Sequence, residues 1–172
     1  ETGDTESKLA HRYHIKDVVF SPDGKQLITA SGFYNNNVPK ESLIVWDPES
    51  REIIQEIKDM SDFVIWVAFT PDNEKIITLD GDNHLKIFDA KTFMRLSMET
   101  ASGDFKYVHI DENDTLFTFS GTDIYKTDIN DFDPQIIHSC YQGNLHTGKV
   151  EMVNISPDGK YVVSASSDNK AK

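Results

Sequence analysis

The chain has 172 residues, 38% of them hydrophobic and 27% charged, a globular composition with enough length to bury a sizeable core. Its 29 acidic and 17 basic side chains give a formal net charge of −12, a sign that repels phosphate backbones and anionic lipid surfaces, so neither nucleic acid nor membrane is an expected partner. The single cysteine, Cys140, excludes an intramolecular disulfide and a thiolate zinc cluster, and no run approaches the roughly 20 apolar residues of a membrane helix.

Residues 1–9 carry neither an initiating Met nor a basic-then-apolar leader, and they read as an N-terminal tail or cloning remnant. His11 and His14 follow as a His-x-x-His pair; an edge segment is favoured there over a zinc site. The first strand is expected over Ile15 to Phe20. It ends in Ser21-Pro22-Asp23-Gly24-Lys25, in which Pro presets φ, Asp bonds back to the backbone and Gly accepts positive φ. A second strand then runs from Gln26 to Ala30. After a polar insertion, Phe33 to Glu41, come strands over Leu43 to Asp47 and Ile53 to Ile57.

The same grammar then recurs. Strands over Val64 to Phe69 and Lys75 to Leu79 flank Thr70-Pro71-Asp72-Asn73, and strands over Leu85 to Asp89 and Met94 to Met98 follow. Tyr107 to Ile110 and Leu116 to Phe119 flank the degenerate turn Asp111-Glu112-Asn113-Asp114, with Ile124 to Asp128 and Ile136 to Cys140 beyond it. Val150 to Ile155 and Tyr161 to Ala165 flank Ser156-Pro157-Asp158-Gly159. A unit recurring roughly every 45 residues, with four short strands per unit and no helical periodicity, predicts an all-β propeller of about four blades. The blades are expected near 10–50, 51–90, 91–132 and 133–172, with the last one truncated.

Trp46-Asp47 closes the third strand of the first unit, and Phe88-Asp89 and Thr127-Asp128 are weaker versions of it. Leu145-His146-Thr147-Gly148 precedes the first hairpin strand of the fourth unit, and Ser166-Ser167-Asp168-Asn169 forms its later turn. These residues resemble the WD-repeat propeller family over roughly residues 10 to 172, most closely in the first and fourth units. TolB-like and YVTN-type propellers share the Ser-Pro-Asp-Gly-Lys turn, but the Trp-Asp closure and the His146 segment favour WD repeats. The resemblance implies a structural hydrogen-bond network of His, Ser or Thr, Asp and Trp within a blade, carried here by His146, Ser166 and Asp168, with Asp82 matching Asp168 in the second unit. The chain stops where the fourth blade's third strand should continue to its Trp-Asp. An incomplete ring is therefore expected: a fragment of a longer propeller of about seven blades, or an arc completed by another chain or a second copy.

His146, Ser164 or Ser166, and Asp168 also have the residue types of a hydrolase triad, but they lack a Gly-x-Ser-x-Gly elbow and are assigned to the structural network. The acidic turns at 80–83 and 111–114 lack the terminal bidentate Glu of a calcium loop and are read as hairpins. No catalytic, cofactor or metal residue is assigned, and no cofactor is expected. The partner-binding candidates are Trp66, which begins an inner strand, and Tyr34 and Asn36 in the insertion. The resemblance implies a protein–protein interaction scaffold, not an enzyme, and the negative charge favours a basic or neutral partner surface. The alternative is a propeller enzyme or small-ligand binder using the central channel. A cytoplasmic location is expected; secretion stays open, with sequons at Asn113 and Asn154.

Overall fold

A computed structural model describes residues 9, 11, 14–32, 42–60, 62–100, 105–111, 114–120, 123–129, 138–141, 146–156 and 160–172. Among the described residues there are fourteen strands: β1 (Ile15–Phe20), β2 (Leu27–Ser31), β3 (Ser42–Trp46), β4 (Ile53–Ile57), β5 (Val64–Phe69), β6 (Lys75–Asp80), β7 (His84–Asp89), β8 (Arg95–Thr100), β9 (Phe105–Ile110), β10 (Thr115–Ser120), β11 (Asp123–Asp128), β12 (His138–Tyr141), β13 (Val150–Ile155) and β14 (Val162–Ser166). They lie where the sequence places them, with ends agreeing to within about two residues. No helix occurs among the described residues.

Within each sheet, strands consecutive in the chain pair antiparallel, giving three four-stranded sheets, β1-β2-β3-β4, β5-β6-β7-β8 and β9-β10-β11-β12, and a two-stranded sheet, β13-β14. The sheets are offset from the sequence repeat. β4 pairs with β3, not with β5, so a blade's outer strand comes after its Trp-Asp while the repeat unit ends near it.

Local chemistry sets the turns. In the first hairpin Asp23 accepts from the Ser21 hydroxyl at 2.7 Å and from the Lys25 N–H at 3.1 Å, and Gly24 stands at φ 72°. Asn73 and Asp114 take the corresponding left-handed position in the next two. In the first two sheets the Asp that closes the third strand caps the following turn: Asp47 accepts from the Glu49 and Ser50 N–H groups, and Asp89 from those of Lys91 and Thr92. The Ser50 and Glu49 N–H groups hold the Asp47 carboxyl below its ordinary range, and the contacts from Thr92 and Lys91 do the same for Asp89.

The core lies between sheets. One cluster joins Ile28, Ala30, Leu43, Val45 and Ile57 of the first sheet to Val64, Val67, Phe69, Ile76 and Phe88 of the second. Another joins Ile77, Leu79, Leu85 and Ile87 of the second to Val108, Leu116 and Ile129 around the third. A smaller one sets Phe117 of the third against Val153 and Val162 of the last. Neighbouring residues Ile76 and Ile77 thus serve opposite clusters, as strand alternation requires of a sheet buried on both faces. The sheets touch in series through their first strands, β1 with β5, β5 with β9 and β9 with β13. The Asp17 carboxylate adds an inter-sheet bond by accepting from the Val67 N–H at 2.9 Å. The result is an open arc of propeller blades, with no sheet closed on itself among the described residues.

Candidate functional site

The polar network of the last blade is built on His146. Its Nδ1 lies 3.0 Å from Asp168 Oδ2 and its Nε2 lies 2.8 Å from the Ser164 hydroxyl. A carboxylate only accepts, so Nδ1 donates to Asp168; Nε2 shares its bond with the Ser164 hydroxyl, which also reaches the Lys172 carbonyl at 3.4 Å. Asp168 also accepts from the Thr147 N–H at 3.0 Å and the Lys170 N–H at 3.0 Å. Burial pushes its carboxyl upward, but the Thr147 N–H, the His146 ring and the Lys170 N–H together hold it down at about 2. Ser166 does not touch His146: its hydroxyl accepts from the Asp168 N–H at 3.2 Å and so shapes the turn. Gly148 is needed for close approach, since a Cβ there would lie 2.8 Å from the Asp168 nitrogen.

Ser164, His146 and Asp168 have the order and spacing of a nucleophile, base and orienting acid. What they lack is access. His146 and Ser164 are 1% and 2% exposed, so the hydroxyl meets no substrate in this conformation, and the arrangement ties β14 to the segment before β13.

The first blade holds a related tie that spacing alone could have revealed, because His11 stands as far before Ser21 as His146 stands before Ser156. Its ring packs edge-on against Trp46 at 5.3 Å, and the Trp46 Nε1–H donates to the Thr29 hydroxyl at 2.9 Å. Partial burial lowers the His11 pKa. Among the described residues no group of three or more His, Cys, Asp or Glu side chains is placed to hold a metal ion.

The second blade is different. Met60 stands at the histidine position and Phe88 at the tryptophan position, and the Thr78 hydroxyl, equivalent to Thr29 and Ser164, is buried without a hydrogen-bond partner. Asp82 is exposed, and its N–H donates to Asp80 at 3.1 Å. The buried charges there are Asp80 and Lys86, 3.7 Å apart. Sequence reasoning missed this pair; its one local signal is a lysine set between Leu85 and Ile87.

Trp66, the third residue of β5, is half-buried and packs against the cluster shared with the third sheet. Tyr34 and Asn36, with the rest of the Phe33 to Glu41 insertion, lie outside the described residues, as does Asn113; Asn154 is exposed in β13. No helix among the described residues is long and apolar enough to cross a membrane.

Comparison with known proteins agrees with the geometry. Residues 4–38 and 135–172 match the family model described as WD domain, G-beta repeat. Over 97 residues, 56% of the chain, the sequence is 30% identical to the intraflagellar transport protein 122 homolog of Homo sapiens, and equally so to those of Mus musculus and Danio rerio. The match spans 6% of the human protein and 7% of the mouse and zebrafish proteins.

Proposed function

We propose that this chain, which belongs to the WD-repeat family, is a protein-interaction scaffold that engages a protein partner through the loops at the ends of its blades. The observation that carries the reading is the division of labour in the sheets. Where sheets neighbour one another, their apolar faces are spent in the inter-sheet clusters, and polar groups are tied internally at His146 and Trp46. Between the two end faces, where Phe20 and Val163 are exposed, this leaves the turns, the connectors and the half-buried Trp66 for recognition. The net charge of −12 favours a basic or neutral partner surface. Similarity to proteins named for intraflagellar transport supports a role in that process as the finer reading. A lone cysteine suits a reducing, cytoplasmic setting.

Crosslinking affinity capture from native lysate tests this, with three baits: the wild-type chain, Trp66→Phe and a chain in which Asp-Asn, the residues of the second unit's turn, replaces residues 33–41. We expect a discrete protein partner whose recovery drops at least about tenfold for one of the two variants, a loss of ~1.4 kcal/mol in binding, while the melting temperature holds. Recovery of no protein, together with thermal stabilisation by a metabolite, would favour a small-ligand channel instead.

A further inference from the structure

Lys86 is an unusual residue for its place. It lies in mid-strand in β7 and is 1% exposed, and an ammonium group is costly to bury unless it is both paired and hydrogen-bonded. Two other elements meet those conditions. Nζ donates to the main-chain carbonyl of Asp59 at 2.9 Å and lies 3.7 Å from Oδ2 of Asp80, whose side chain is wholly buried at the end of β6. Oδ1 of Asp80 accepts from the N–H groups of Asp82 and His84, and His84 Nδ1 is 3.2 Å away. Asp59 belongs to the connector between β4 and β5, the passage from one blade to the next.

The same connector is held at its other groups. Arg95 Nη1 lies 2.8 Å from Asp59 Oδ2. The Gly81 N–H donates to the Phe63 carbonyl at 2.8 Å. Phe63 and Asp62 press so closely on Gly81 that a Cβ there would meet them at 2.8 and 2.7 Å. From the first sheet, Lys16 lies over the Phe63 ring at 5.6 Å.

We propose that Lys86 is a positioning residue, a buried clamp that fastens the first-to-second blade connector onto the second sheet and so sets the shape of the end face around Phe63. A long stem with a charged tip suits this task, because the methylenes stay in the apolar layer while the ammonium reaches a carbonyl on another element. Ile44 holds the corresponding position in the first blade. The clamp belongs to the blade in which the usual tie is missing: Thr78, directly opposite Lys86 in the β6–β7 register, has no hydrogen-bond partner, and Met60 replaces the histidine.

Amide hydrogen exchange by NMR on the whole chain tests the clamp without any partner present, so its failure leaves the interaction reading untouched. In Lys86→Met the Gly81 amide should exchange at least about tenfold faster, while the Ile77 amide in β6 stays within about twofold of wild type. The double variant Lys86→Met/Asp80→Asn removes both charges and leaves neither one buried alone, and it should show the same contrast. Unchanged exchange at Gly81 in either folded variant would overturn the clamp. So would equal acceleration at Gly81 and Ile77, which would mark a general loss of stability, or a double variant that does not fold.

Discussion

Asp168 concentrates more hydrogen bonds than any neighbour in its turn, accepting from the His146 ring and from the Thr147 and Lys170 N–H groups. Its folded carboxyl, held at about 2, lies below its ordinary value, so the native state binds the proton more weakly than the unfolded chain does. The stabilisation is therefore complete above the unfolded value, near pH 4 to 5, and drains away as pH falls through about 2. Asp168→Asn removes that acid-sensitive part. Melting temperatures of wild type and variant should differ most above pH 5 and converge near pH 2; a gap that stays constant with pH would show that the carboxylate's charge is not what matters. Some acid sensitivity will persist in the variant, because Asp23, Asp47 and Asp89 are also held low by their turn hydrogen bonds.

Within a single blade, the missing tie of the second sheet makes a test of what the histidine does. Met60 is partly buried against the inter-sheet core, and the unpartnered Thr78 hydroxyl stands at the position that receives Nε2 in the last blade. Met60→His should rebuild the bond and, with Asp82 at the position of Asp168, supply the second one as well. A net hydrogen bond of this kind contributes about 1 kcal/mol, a rise of a few degrees in melting temperature. The gain must vanish in a Thr78→Val background, which a double-mutant cycle by urea denaturation would check. If the gain survives without the hydroxyl, the histidine is acting through packing and the equivalence between blades fails.

For the arc as a whole, stability comes from sheets shielding one another, so a residue between blades should matter far more than an equally apolar residue on the rim. Leu79 is fully buried against the third sheet, whereas Leu96 on the outer strand β8 is 57% exposed. Leu79→Ala should cost about 2 to 5 kcal/mol in urea unfolding and lower amide protection in β9 as well as in β6. Leu96→Ala should stay within about 0.5 kcal/mol. Similar costs at the two sites would contradict a radial stack. The two ends of the arc follow the same rule from the other side. Phe20 on β1 and Val163 on β14 are 60% and 51% exposed, while their counterparts Phe69 and Ile28, each facing a neighbouring sheet, are buried.

Strand positions, turn types and the family itself were legible in the sequence because they depend on neighbours a few residues apart: alternation for the pleat, Pro-Asp-Gly for the hairpin, a closing Asp for the next turn. His146 and Asp168 were legible for the same reason, since both sit in recognisable local segments. Their hydroxyl partner was not, because Ser164 and Ser166 lie two residues apart on the same strand, where alternation puts both on one face and does not say which stands level with the ring. Only the folded chain decided that Ser164 points to the ring and that Lys86 reaches back to Asp59. Each of those contacts joins residues far apart in the chain, and no local pattern carries the twist and stacking that bring such residues within hydrogen-bond reach.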